Sequence, residues 1–223
     1  MNIITVGREF GSGGREIGKR LAEELGFAYY DHEIISEIAA RTSLSEDYVQ
    51  SIVEHRPYFS YPIHTARTLY VQSDPVLDQN IDIYSKQHSL IKELAEKSDC
   101  VIVGRCADYI LRDQHPIRLF VYADDATKIK RCREKEAANG ETKADKAEIS
   151  RSLSGTSDKP LTDKEWKKCF SRVDKERAKY YEFYTSQKWG SRENYDLLVN
   201  TSGVTPKMLV PGIASLIKSM KEL

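Results

Sequence analysis

Apolar positions along the chain alternate between short dense runs and longer stripes at helical spacing. Ile3, Ile4, Thr5 and Val6 form an almost continuous run that stops at Gly7, the pattern of a strand buried on both faces of a parallel sheet. Ile17, Leu21 and Leu25 then recur at helical spacing, and Gly26 follows as a C-terminal stop. The run from Phe27 to Tyr30 predicts a second strand, ending at Asp31. Residues 32–56 read as two helices split near 42–45, with Ser45 as a cap for the second. Residues 57–75 hold three prolines and several tyrosines and predict irregular chain. A long helix is expected from about Val76 to Lys97, a third strand at residues 100–103, a fourth at 117–122, a fifth at 195–199, and a closing helix from about Pro206.

Strands separated by helical stripes imply crossover connections and a parallel sheet covered on both faces. Ligands of such sheets sit outside the carboxyl ends of the strands. The chemically unusual residues gather there: Gly7 after strand one, Asp31 after strand two, Gly104 and Arg105 after strand three, and Asp124 and Asp125 after strand four. Residues 124–179 stand apart. They are a quarter of the chain, hold 16 of its 34 basic residues, and from 138 to 160 read as a solvated, mobile stretch.

Composition narrows the classes of partner. The 34 basic residues balance 34 acidic ones, which argues against a general binder of nucleic-acid polymers or membrane surfaces. Cys100, Cys106, Cys132 and Cys169 include no C-x-x-C pair and read as buried thiols of a reducing compartment. The N-terminal apolar run is too short for a signal peptide, and no run approaches the ~20 apolar residues of a spanning helix. A cytoplasmic protein is expected.

Four glycines fall within residues 7–14, between a strand and a helix. Glycines let backbone N–H groups converge, and the helix N-terminus adds positive partial charge, which together suit phosphate. A plain structural turn is the alternative. Against the pattern G-x-x-x-x-G-K-[ST] the stretch departs in two ways. With Gly14 as last glycine, Arg15 stands at the lysine position and Glu16 at the Mg²⁺-binding hydroxyl. With Gly13 as last glycine, Gly14 takes the lysine position. Lys19 is a second candidate for the missing charge.

The segments GREFGSGGREIGKRLA, YYDHEII, CVIVGRCADYIL, IRLFVYADDATKIKR, DKERAKYYEFYTSQKWG and NYDLLVNTS, in this order, resemble the cytidylate kinase-like family of nucleoside monophosphate kinases. The resemblance covers most of the chain and is loosest within the charged segment. It implies an α/β fold of the P-loop NTPase type: three layers, a five-stranded parallel sheet with helices on both faces, and a helical lid insert. It also implies one kinase-like domain, with an acceptor-side region at about 32–75 and a lid at about 134–172. The implied activity is transfer of the γ-phosphoryl group of ATP, with Mg²⁺, to a small-molecule nucleotide such as CMP or dCMP.

Residue roles follow from the same resemblance. Gly11, Ser12, Gly13, Gly14, Arg15 and Glu16 would surround the donor phosphates. Asp31 would lie beside the acceptor phosphate and the metal, and Arg105 and Asp174 on the acceptor. An Arg105 to Asp108 surface ion pair is the plainer alternative for that arginine. Arg15, Asp31, Arg131 and Arg172 are the catalytic candidates, the last two as lid arginines that close over the phosphates. Tyr180, Tyr181, Tyr184 and Trp189 are expected to pack the last lid helix on the core rather than stack a base. Histidines 32, 55, 64, 88 and 115 show no metal spacing. Two other readings stay open: a nucleotide-binding regulatory protein whose degenerate loop transfers nothing, and a kinase for another small acceptor bound near residues 56–67. Apolar residues in 57–75 are also candidates for a homodimer contact.

Overall fold

The computed structural model describes residues 1–53, 75–138, 146, 149–150 and 160–221, with residues 75–77 and 221 in backbone only. The expectations for 57–74, and for most of 138–160, lie outside the described residues. Five parallel strands, β1 (Ile3–Arg8), β2 (Ala28–Tyr30), β3 (Cys100–Val103), β4 (Ile117–Tyr122) and β5 (Leu197–Asn200), form one sheet in the order β2-β3-β1-β4-β5. All four pairings are parallel. The expected α/β architecture of a five-stranded parallel sheet between helices is therefore observed.

Side-chain alternation along the strands sorts the core into two layers. Ile3, Cys100 and Ile102 face one way, against α2 (Glu33–Thr42), α3 (Glu46–Val53), α4 (Pro75–Lys97) and α5 (Ala107–Ile110). Ile4, Val6, Val101 and Val103 face the other way, against α1 (Gly14–Leu25) and α8 (Pro206–Lys221). Because β1 lies at the centre and is covered on both faces, its C-terminal end is the best-supported position in the molecule.

That end differs from the sequence expectation. β1 does not stop at Gly7, because Gly7 and Arg8 continue the ladder opposite Phe120 and Val121 of β4. Arg8 is thereby a strand residue with a fixed backbone, and the turn begins at Glu9.

The remaining helices, α6 (Asp125–Ala137) and α7 (Asp163–Thr185), carry a third apolar cluster of their own. Ile129, Cys132, Trp166, Cys169, Phe170 and Val173 pack there on Phe10, which comes from the glycine loop. Burying these side chains is worth roughly 1.5–3 kcal/mol each for the larger ones, so the charged segment is anchored on the loop. Asp124 caps α6 by accepting the Thr127 N–H at 2.7 Å, which gives the first of the two aspartates after β4 a structural role. Thr162 and Glu165 form a capping box that starts α7. All four cysteines are buried free thiols.

Candidate functional site

Chain geometry decides the register of the glycine turn. Gly13 is the N-cap of α1 with φ +82°, and the helix starts at Gly14. Gly14 therefore occupies the lysine position of the phosphate-loop pattern and Arg15 the hydroxyl position. A Cβ on Gly14 would lie 2.4 Å from the Cβ of Arg8, so no larger residue fits while Arg8 stays where β1 puts it. Gly11, at φ +73°, lets the loop amides turn inward.

The side chains of the loop divide into those that build it and those that face space. Ser12 is fully buried. Its hydroxyl donates to the Glu9 carbonyl at 2.8 Å, and its own carbonyl accepts the Thr201 hydroxyl at 2.7 Å. Ser12 thus closes the turn with its side chain. Glu16, expected beside the donor phosphates, pairs instead with Arg20 one turn along α1 at 2.8 Å, because its position on the helix points it away from the loop. Lys19 is exposed.

Arg131 and Arg172 stand on α6 and α7, the helices that enter and leave the expected lid. Arg131 donates to the Gly11 carbonyl at 2.9 Å and to the Val204 carbonyl at 3.3 Å. It clamps the loop to the segment after β5, since α6 packs directly behind the turn. Arg172 is exposed on α7 and lines neither of the two cavities at the strand ends. Asp174, expected on the acceptor, instead accepts the Phe10 N–H at 2.7 Å and lies 3.8 Å from both Lys128 and Arg177. Burial pushes its carboxyl up to about 6, against the pull of Arg177, the Phe10 amide and Lys128. Lys128 is buried and ion-paired with Glu9.

Those two cavities open at the carboxyl ends of the strands. The first is lined by the loop from Arg8 to Gly11, by Gly13, Gly14 and Arg15, and by Lys135, Ile149 and Arg177. The second is lined by Gly7, Arg105, Cys106, Asp108, Tyr180, Tyr181, Trp189 and Tyr195. Arg8 and Arg177 line both.

Arg105 is 6% exposed and sits in the second cavity, so it is not a surface residue. Its backbone is strained: Gly104, Arg105 and Cys106 have φ of +73°, +59° and +55° in succession, at a cost of order 1–3 kcal/mol for each non-glycine. Gln87, fully buried, donates to the Arg105 carbonyl at 3.0 Å and holds the turn. Asp108 accepts the Tyr181 hydroxyl at 2.6 Å, and burial raises its carboxyl above the usual range. Tyr180 and Tyr181 are buried in the core, in line with their spacing on α7, and Tyr184 stacks on Tyr84 with ring centroids 3.8 Å apart.

Charge in the space between the cavities is strongly unbalanced. Asp31 ends β2 with Arg15 Nε at 3.0 Å and Arg8 at 4.0 Å. Burial pushes its carboxyl up, but the guanidiniums of Arg15, Arg8, Arg105 and Arg177 outweigh that and hold it below the usual range. Four cations thus act on one carboxylate. Arg8 carries the other side of this balance: burial, then Arg177 and Arg15, push it down to about 10 against the pull of Asp31, which leaves it charged at neutral pH. Sequence reasoning passes over Arg8 and Lys128, and places Arg177 on the helix leaving the lid, as a neighbour of Asp174. The signal available is Gly14: a glycine where a cation is needed implies a cation arriving from another element.

Among the described residues no three His, Cys, Asp or Glu side chains group to hold a metal, and no helix is long and apolar enough to cross a membrane. The model of the cytidylate kinase-like family matches residues 3–203. An uncharacterized protein from Eubacterium ventriosum is 27% identical, with 98% of this chain and 99% of that one aligned at a TM-score of 0.65. Shikimate kinase from Bacteroides thetaiotaomicron aligns over 100% of this chain and 99% of its own, at 12% identity and a TM-score of 0.52, a likeness of fold. No curated protein matches the chain.

Proposed function

This chain belongs to the cytidylate kinase-like family, and from that premise we propose that it transfers the terminal phosphoryl group of ATP to a small anionic acceptor, a nucleoside monophosphate of the CMP kind. The observation that carries the reading is the excess of guanidinium groups where two cavities meet, with Arg8 and Arg177 on the boundary of both. A donor and an acceptor laid end to end would bring their phosphates together at that boundary.

Phosphoryl transfer asks mainly for positioning and for charge to offset the equatorial oxygens. The amides of residues 11–14 and the N-terminus of α1 would hold the donor's inner phosphates. Arg105 would hold the acceptor phosphate, its position fixed by the strained turn and by Gln87. An acceptor oxygen then bonds to the terminal phosphorus as the bond to the bridging oxygen of ADP breaks. A monophosphate oxyanion brings its own electron pair, so no general base is needed. Arg177, on α7, reaches the boundary and ties the helix to the strand end through the Arg8 carbonyl at 3.4 Å.

Mg²⁺ needs only one or two carboxylates besides phosphates and water. The buried Oδ1 of Asp31, which accepts no hydrogen bond among the described residues, fits a metal-bound water. Asp31 would hold Mg²⁺ through that water, and the ion would supply positive charge against the phosphates. Residues 134–172 would act as the lid, with α6 and α7 as its arms.

The test is ADP formation from Mg·ATP with CMP, dCMP, UMP, AMP, GMP and, for a non-nucleotide hydroxyl, shikimate. ADP matched by CDP or dCDP supports the proposal. ADP formed only with shikimate moves the acceptor class, and folded protein that binds ATP but forms no acceptor-dependent ADP favours a regulatory nucleotide binder.

A further inference from the structure

The loss of the loop lysine has a counterpart in β1. Three observations converge on Arg8. The Cβ that any residue other than glycine would carry at position 14 falls 2.4 Å from Arg8 Cβ and 3.1 Å from its Cγ, so the arginine stem fills the space in which a position-14 side chain would start. At the other end of the stem, a Cβ on Gly104 would clash with Arg8 Nη1 and lie 3.0 Å from its Cζ, so the guanidinium passes through a gap that only glycine leaves. The group that emerges is 8% exposed, lines both cavities, and keeps a buried Nε with no hydrogen-bond partner among the described residues. An unsatisfied buried donor of this kind costs stability unless a ligand completes it.

We infer that Arg8 takes the part of the missing loop lysine, reaching the terminal phosphate of the donor from the strand instead of from the helix start, and that Gly14 and Gly104 are glycines to let it through. The inference rests on the reading of the first cavity as a nucleotide site. It adds a cation that the motif does not encode, and it removes the reason to regard the loop as degenerate. A guanidinium also binds phosphate differently from an ammonium, because its planar fork offers two parallel donors to the oxygens of one phosphate. Set between the cavities, it can follow the phosphoryl group from donor to acceptor without leaving its ion pair with Asp31.

The experiment is calorimetric titration of Mg·ATP and Mg·ADP into the wild-type chain, Arg8→Met, Arg8→Lys and the double variant Arg8→Gly/Gly14→Lys, each checked for folding by circular dichroism. Arg8→Met should weaken ATP at least about tenfold more than ADP, as expected of a lost charged contact to the terminal phosphate. Arg8→Lys, which keeps the charge, tests the same point should the methionine variant not fold, with a smaller loss again confined to ATP. The double variant should recover ATP binding, because removing Arg8 from its Cβ outward opens the space for a lysine. Equal losses for ATP and ADP, or none, overturn the inference while leaving the cavity a nucleotide site. A wild-type chain that binds neither nucleotide overturns the nucleotide reading itself, and the inference with it.

Discussion

The first cavity, built on the loop at residues 9–13, and the second cavity share Arg8 and Arg177 but are assembled in opposite ways. The loop is cut from one short stretch between a strand and a helix, and its working groups are backbone amides whose direction the glycines permit. The second cavity takes its walls from β1, the turn after β3, α5, α7 and the segment before β5, and its working groups are side chains. A motif can specify the first; only packing can specify the second. The boundary between them belongs to neither, and two of the four arginines that act on Asp31, Arg8 and Arg177, stand on it.

If the two regions serve one reaction, removing what they share should cost most. Arg177→Ala should lower kcat/KM by about a thousandfold, roughly 4 kcal/mol, as for other lost transition-state donors, and should weaken both substrates. Steady-state kinetics checks this; a loss confined to one substrate would place Arg177 in one cavity only. Gly104→Ala should come next, because both φ +73° and the Arg8 guanidinium oppose a side chain there. A loss of about 3 kcal/mol of stability is expected in denaturant unfolding.

Substitutions on either side of the boundary should separate the regions. Arg15→Ala should weaken ATP by about 1.5–3 kcal/mol with acceptor KM unchanged. Arg105→Ala should raise acceptor KM by about tenfold or more with ATP affinity unchanged. Crossed effects would break the division. The smallest effect concerns the seam between loop and α7. Asp174 is pushed up to about 6 in the folded chain, above its unfolded value of about 4. Between those values the folded state binds the extra proton, so this group adds stability as pH falls through 6, by about 1 kcal/mol from pH 7 to 5. Asp31, depressed, acts with opposite sign only below about pH 4. Asp174→Asn should remove the slope between pH 7 and 5 in unfolding midpoints.

The contrast between the regions also explains how much the chain discloses before it is folded. Apolar runs place all five strands, most firmly β1, β3 and β4, because a central parallel strand admits little else. The end of β1 is harder to place, since Gly7 looks like the start of a turn, and the continuation of the strand past it carries Arg8 out of the turn and into the site. The placement of Arg105 in a cavity and of Asp31 beside Arg8 and Arg15 is legible, because both follow strand ends, where such sheets open. The roles of Arg131 and Arg172 are not, because a helical stripe of arginines does not say which one meets the loop: Arg131 turns inward as a clamp and Arg172 outward. Asp174 escapes for a similar reason, since nothing in its spacing announces a contact with Phe10, 164 residues away.

The claim that two cavities form one continuous reaction path is tested most directly with a single ligand that spans them, an adenosine and a cytidine joined through five phosphates. Calorimetry should show it binding at one site per chain, at least about a hundredfold tighter than ATP, and weakened by Arg15→Ala and by Arg105→Ala alike. Binding no tighter than ATP, indifferent to Arg105, would contradict the account: the second cavity would then not receive the far end of the phosphate chain.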